Sequence, residues 1–386
     1  MKFDILIVGA GLSGASLACA LRGSRFRVGL LERTPPVQTS DWDTRVYAVS
    51  PVNVEFLQRC GGWTNLDPAR VQAVERMSVY GDTDGNLDFG AYESGMEALA
   101  WIVESGRIAC ELWETARRQS NIEIICPANP KAMEWGEKVA RVSLDDGRLI
   151  EAKLIVAADG ANSWVREQTE LTIDVKPYGE MGVVANFACE KPHLSTAFQW
   201  FRKDGVLAYL PLPGNQVSIV WSTAQAYAQT LLGLPPEALS ARVAEAGRHR
   251  LGVLSLLSSA AAFPLRLMKV SDIVAPRLAL IGDAAHTVHP LSGHGINLGF
   301  QDARVLADNL LSLPEFRDCG ELAVLKRYAR SRVEEVSAIQ FATHGLNRLF
   351  KSDFAPLEGL RNLGLTATGR VPFLRDALSR YAAGLL

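Results

Sequence analysis

Gly9-Ala10-Gly11-Leu12-Ser13-Gly14 sits where an apolar run, FDILIVG, gives way to a run of small residues and leucines, GLSGASLACALRG. Glycines at this spacing do three jobs in a dinucleotide-binding turn. The first permits the tight turn, the second lets a pyrophosphate reach the backbone, and the third lets helix and strand pack closely. The helix that follows offers unpaired N–H groups and a partial positive charge to phosphates. Glu32 lies at the end of the next apolar run, FRVGLLER, 18 residues after Gly14. A carboxylate there accepts hydrogen bonds from ribose hydroxyls and repels a 2′-phosphate, which predicts FAD or NAD rather than NADP. A glycine-rich packing turn would share the glycines. Strand, helix, spacing and acid together point to a dinucleotide, without choosing between FAD and NAD.

Two further junctions run an apolar strand into an acid and a glycine: LIVAADGANSWVR (154–166), with Asp159-Gly160, and LALIGDAAHTVHPLSGHGINLGFQDA (278–303), with Gly282-Asp283. Taken singly, each aspartate fits a turn or a helix cap. At the C-terminal edge of a parallel sheet, each would place a carboxylate in the ligand crevice. NAD needs only the first turn, so a second contact, to a ribityl chain, suggests the longer reach of FAD. After Pro290, the residues Gly293, Gly295, Ile296 and Asn297 open another helix. Their backbone N–H groups could face the pyrimidine edge of a flavin and stabilise negative charge there.

The elements that must position these residues follow from periodicity. The first 34 residues read strand–helix–strand, a βαβ unit. Residues 76–90 read as a β-hairpin, with turn signals at Asp82, Asp84, Gly85 and Asn86. Residues 106–119, 235–249 and 297–312 read as helices. MGVVANFAC, TAFQWF, GVLAYLPL and QVSIVW are β-type runs within 178–222, and AAFPLRLMKV is another. They predict a mostly antiparallel sheet set between segments of an α/β domain. The expected boundaries are 1–75, 98–175 and 266–330 for the α/β domain, 76–97 and 176–265 for the inserted sheet, and 331–386 for a helical C-terminal segment.

Composition narrows the class. The 386 residues are 48% apolar and 21% charged, with a formal net charge of −2. Disorder and the basic footprint of a nucleic-acid binder are both disfavoured. The six cysteines are scattered without a CxxC pair, which disfavours a disulfide framework and fits a reducing, cytoplasmic setting. His286 and His289 are close in sequence but lack a third ligand at metal spacing, so no metal is expected. No uninterrupted apolar stretch reaches the length of a membrane span.

The chain resembles the group A flavoprotein monooxygenases, the family of para-hydroxybenzoate hydroxylase, and within it the branch of ubiquinone-biosynthesis hydroxylases. GAGLSG with Glu32, DTRVYAVS (43–50), ESGRIACEL (104–112), AADGANSWVR (157–166) and GDAAHTVHPLSGHGINLGFQD (282–302) carry the resemblance. His294 departs from the usual Gln, and Ser105-Gly106 from a polar residue before Arg107. The resemblance implies an α/β fold: a discontinuous Rossmann-like FAD-binding domain, an inserted antiparallel substrate domain and a helical tail. It implies that Gly9, Gly11 and Gly14 hold the pyrophosphate and that Glu32, beside Arg33, holds the adenosine ribose. Arg45 and Arg107 would approach the pyrophosphate and ribityl region. Asp159 would back the adenosine side, and Asp283 would bind a ribityl hydroxyl. Pro290 would lie against the flavin, with Gly293 to Asn297 on its pyrimidine edge.

Such an enzyme uses NADH or NADPH as a transient reductant, and O2 as the oxygen source, to hydroxylate an electron-rich aromatic ring. No second GxGxxG is present, as expected if the nicotinamide cofactor has no Rossmann domain of its own. The branch implies a polyprenylated phenol or quinone precursor as substrate. The ring would sit between flavin and inserted sheet, where most aromatic residues are expected to be core. Tyr209, Leu210 and Pro211 are the expected pocket residues. No catalytic acid or base stands out. Competing functions are a prenyl reductase, a flavin halogenase (disfavoured by the lack of a WxWxIP segment) and a low-turnover flavin-bearing component of a biosynthetic complex. Residues 346–386 interleave leucines with arginines. That pattern fits a helical cap, or a docking face for complex partners or a peripheral contact with the inner face of a membrane.

Overall fold

Lys2–Val8 is apolar on both faces, with Ile5, Leu6 and Ile7 fully buried, and it forms the middle of a parallel sheet. Burying each of those side chains contributes about 1.5–3 kcal/mol before the entropy of ordering is charged against it. The strand pairs with Val28–Leu31 on one side and Leu149–Ala157 on the other. Ile122–Ile125 continues the sheet beyond the first, and Leu278–Leu280 beyond the second, all in parallel. Antiparallel strands Ala140–Leu144 and Pro130–Trp135 extend it.

In this computed structural model the described residues are 1–81, 85–287 and 294–351; for His294 and 341–351 only the backbone is described. Asp82, Asp84, Pro290, Gly293 and the stretch from 352 onward lie outside them.

The register aligns the strand ends. Val8 lies beside both Leu31 and Ala157, and Ala157 beside Leu280. Gly9, Glu32, Asp159 and Asp283 therefore leave the sheet along one edge. The strand order reverses direction about Lys2–Val8, and a ligand crevice forms outside such a switch point.

Leu12–Ala20 is buried on nearly every side and packs against the helices Ser105–Arg117 and His294–Leu311. Its small residues let the layers approach. A Cβ on Gly14 would lie 2.0 Å from the Gly9 carbonyl oxygen, and one on Gly299 would lie 2.3 Å from Ser13 Oγ.

The second large sheet runs in the order His286–Thr287, Ala261–Val270, Ile173–Cys189, Gln216–Ala224, Gly205–Leu212, Thr196–Arg202, Arg76–Tyr80 and Asn86–Gly90. All pairings along it are antiparallel except that of Arg76–Tyr80 with Thr196–Arg202. The expected boundaries at 176 and 266 fall inside the strands Ile173–Cys189 and Ala261–Val270, so the sheet claims residues on both sides of them. One face packs Phe187, Phe198, Trp200, Tyr209 and Trp221 into a core with the helices Gln225–Leu232 and Pro236–Ala246. The other face looks toward the first sheet.

A three-stranded sheet, Val46–Val49, Ala100–Glu104 and Val71–Val74, was not foreseen from the sequence. Its strands are only four or five residues long, and Val46, Val74 and Ile102 pack with Ala197 and Leu212 of the large sheet. The helix Leu322–Lys351 follows the sequence expectation for the start of the tail.

Candidate functional site

A cavity of about 980 Å³ runs from the glycine turn to the open face of the antiparallel sheet. Its first half is built by the ends of the parallel strands. Gly9 has φ +102°, a conformation that favours glycine, and a Cβ there would meet the Ala158 carbonyl oxygen at 2.4 Å. Gly11 is the N-cap of Leu12–Ala20 and lines the cavity, and a Cβ on it would meet no protein atom within 4 Å. The open space beside Gly11 is where a phosphate would lie against the helix N-terminus. Glu32 accepts the N–H of Ala10 at 2.7 Å through one oxygen and that of Arg33 at 2.7 Å through the other. Oε2 keeps a second acceptor site for a ribose hydroxyl, while Oε1 also receives the Thr34 N–H at 3.5 Å. Arg33 itself points to solvent.

Asp159 accepts the Val165 N–H at 3.0 Å through Oδ2, while its Oδ1 is buried without a partner. Burial pushes its carboxyl up from the ordinary range, against the opposing pull of Ser163 and the Val165 N–H. Asp283 opens onto the cavity but is ringed by protein. Desolvation raises its carboxyl too, opposed by His286, Arg266 and Arg45. Arg45 and Arg266 are the cationic side chains of the lining among the described residues.

Gly295, Ile296 and Asn297 line the cavity at the start of His294–Leu311. The Asn297 amide is committed within the protein: Nδ2 donates to the Ala48 carbonyl at 2.8 Å, and Oδ1 accepts the Ser50 N–H at 3.0 Å. It ties the helix start to the strand Val46–Val49 and leaves backbone groups to face a ligand.

Three expectations need correction. Arg107 does not line the cavity; its Nε donates to Glu104 at 2.7 Å. Glu104 also binds Arg70, and although burial raises its carboxyl, Arg70, the Asp43 N–H and Arg107 bring it below the ordinary range. Tyr209 and Pro211 do not line the cavity either, whereas Leu210 does. Side chains alternate along a strand. Tyr209 therefore points into the aromatic core, where it is 1% exposed and its hydroxyl donates to the Val243 carbonyl at 2.6 Å. Desolvation raises that phenol well above its usual range.

The sequence reading missed the residues that make up the second half. Val184, Gln199, Ala208, Ser218, Val220 and Ser222 cover the sheet's cavity face, and Tyr47 and Ser105 sit at the junction between the halves. The signal was present as alternation in GVLAYLPL and QVSIVW: Leu207, Tyr209, Val217, Ile219 and Trp221 go to the core face, and Val206, Ala208, Leu210, Ser218 and Val220 to the cavity face. Only the tertiary packing shows which face is covered by helices.

The two halves fit one extended cofactor and one ring. The open glycine turn and the second carboxylate at Asp283 suit FAD, which reaches further than one βαβ turn, whereas Asp159 does not line the cavity and its free oxygen is enclosed by protein. The FAD binding domain family model matches residues 2–340, and the chain belongs to that family of FAD-dependent monooxygenases. Among curated relatives, the 3-demethoxyubiquinol 3-hydroxylase of Escherichia coli (strain K12) is 32% identical over 386 residues, covering 99% of this chain and 98% of that protein. The ubiquinone hydroxylase UbiL of Rhodospirillum rubrum is 31% identical, covering 99% and 90%. Among solved structures, PqsL of P. aeruginosa in complex with 2-aminobenzoylacetate aligns with a TM-score of 0.80 at 23% identity, covering 94% of this chain and 100% of that one. That last likeness is one of fold.

Proposed function

We propose that this protein hydroxylates the aromatic ring of a polyprenylated phenol or quinone precursor in ubiquinone biosynthesis. The observation that carries the reading is the continuity of the cavity between the glycine turn and a sheet face lined largely by uncharged side chains, among them Val184, Gln199, Ala208, Leu210, Ser218 and Val220. The names of the relatives supply the substrate class.

Bound FAD supplies the redox chemistry, drawing electrons from NADH or NADPH and delivering one oxygen atom of O2 to the ring while the other leaves as water. The chain's own residues do the rest. Gly9, Gly11 and Gly14 clear space for the pyrophosphate, and Glu32 takes the adenosine ribose. Asp283 would hold a ribityl hydroxyl, and the backbone at Gly295 and Ile296 would donate to the pyrimidine edge. The sheet face holds the ring near the flavin, and its apolar side chains exclude water from the reacting pair.

The test is to incubate the FAD-loaded protein with NADH or NADPH, O2 and 2-prenylphenol. The expected result is ring product carrying one added oxygen atom. Reductant consumption without that product sinks the reading and favours a low-turnover flavin component.

A peripheral membrane contact through residues 346–386 belongs to the same reading, because a polyprenylated substrate resides in the bilayer. The interleaved leucines and arginines support it. Among the described residues no helix is long and apolar enough to cross a membrane. Co-sedimentation with anionic liposomes should weaken when 346–386 is deleted from protein that still binds FAD. Equal sedimentation of a folded truncation rejects the contact.

A further inference from the structure

One amide stands unpartnered in the apolar wall of the substrate half. Gln199 lies on the strand Thr196–Arg202, paired with Ala208 on one side and with Val79 on the other. It lines the cavity. Residues opposite each other, or two apart on a strand, share a face of the sheet. Met77, Ala197, Val206, Ala208 and Leu210 are therefore its neighbours on the cavity side, and all five are apolar.

Gln199 is 7% exposed. Its side-chain amide makes no hydrogen bond with the described residues, yet neither its nitrogen nor its oxygen is sealed off as Ser218 Oγ is. The surface it keeps opens on the cavity that it lines. A buried amide is normally satisfied, and here the free groups are Oε1, which accepts, and Nε2, which donates. A ring hydroxyl can use either. None of the five neighbours is ionisable, so a phenolate would lose its hydration on this wall without gaining a cation. The wall therefore suits a neutral ring.

We infer that Gln199 is the recognition residue for a neutral hydroxyl on the substrate ring, an inference that rests on the hydroxylase reading above. A ring laid against Met77, Val206, Ala208 and Leu210 displaces water from the amide. A hydroxyl replaces the lost hydrogen bond, by donating to Oε1 or by accepting from Nε2–H. A methyl group at the same ring position fills the same space and leaves the amide unsatisfied, which costs binding. Gln199 thereby selects an oxygenated ring over a hydrocarbon one and fixes the ring edge that faces Thr196–Arg202.

The test uses the full-length FAD-loaded protein and two probes of nearly equal shape, 2-prenylphenol and 2-prenyltoluene, each titrated by the change in flavin absorbance. The wild-type protein should bind the phenol about tenfold more tightly than the toluene. Gln199→Leu keeps the bulk and removes the amide. It should bring the two within about threefold, by weakening the phenol and tightening the toluene. Gln199→Met carries the same expectation should the first variant fail to fold. Equal binding of both probes by the wild-type protein overturns the inference without any variant. So does a Gln199 variant that keeps the preference, or a preference lost instead in Ser222→Ala, whose hydroxyl belongs to the same wall opposite Val206. If hydroxylated product still forms in these cases, the hydroxylase reading stands and only the role of Gln199 is rejected. If neither probe perturbs the flavin and no hydroxylated product forms, both fall.

Discussion

Asp302 Oδ2 lies 2.7 Å from His286 Nε2 and also accepts the Gly282 N–H at 2.9 Å, so one buried carboxylate grips both sides of the turn that presents Asp283. Its other oxygen accepts Arg332 Nε at 2.7 Å, and Arg332 pairs in turn with Glu335. The helices His294–Leu311 and Leu322–Lys351 are thereby tied to the cofactor edge of the parallel sheet.

Asp302→Asn should destabilise the fold by about 3 kcal/mol, because it leaves Arg332 buried with a weaker partner. The loss should appear as a lower urea midpoint with an unchanged m-value. FAD affinity should fall as well, through the loosened Asp283 turn.

The same carboxylate sets part of the pH dependence. Burial raises the Asp302 carboxyl, but His286 and Arg332 outweigh it, and the net position is below the ordinary value. Glu104 is lowered in the same sense by Arg70, the Asp43 N–H and Arg107. A carboxyl depressed on folding contributes stability above its unfolded pKa and loses it as pH falls through the folded one. Unfolding free energy should therefore drop as pH is lowered below about 4. In Asp302→Asn and Glu104→Gln the drop should be shallower, measured by urea melts across that range.

Gly11 and Gly14 should separate cofactor binding from folding. Gly14→Ala drives a Cβ to 2.0 Å from a backbone oxygen and should cost about 2 kcal/mol or more in the apoprotein. Gly11→Ala meets no protein atom, and its φ of −62° suits alanine. Its apoprotein should melt within about 0.5 kcal/mol of wild type. FAD affinity should nevertheless fall at least about tenfold, because the methyl group occupies the pyrophosphate's approach. Equilibrium dialysis against FAD and thermal melts of the apoproteins give the two readouts.

Adjacent residues on one strand should likewise differ. Tyr209→Phe removes a buried hydrogen bond to Val243 and should cost about 1 kcal/mol while leaving KM unchanged. Leu210→Trp fills the substrate half of the cavity and should raise KM at least about tenfold with the FAD content intact. A KM effect at Tyr209 equal to that at Leu210 would contradict the assigned strand faces.

The cofactor half of the site was legible because it is local. A dinucleotide turn needs its glycines, helix start and acid within one βαβ unit, and each acid–glycine junction announces its own strand end. The substrate half is assembled from strands spanning residues 173 to 270 and from the short strands Val46–Val49, Val71–Val74 and Ala100–Glu104. Four-residue strands carry too little periodicity to read. Arg107 misled for a different reason: Glu104 lies only three residues away, but that it is buried and shared with Arg70, 34 residues distant, became visible only with the fold.

The sequence by itself determined that this chain has a dinucleotide turn, two further strand-end carboxylates and an inserted β-rich segment. Those features follow from residue type and short spacing, which operate before any long-range contact forms. Tertiary structure alone decided which face of the antiparallel sheet became core and which became cavity. Alternation divides a strand into two faces but does not label them. The label came when the helices Gln225–Leu232 and Pro236–Ala246 covered Trp200, Tyr209 and Trp221, leaving Ser218 and its small neighbours on the face turned toward the parallel sheet's crevice.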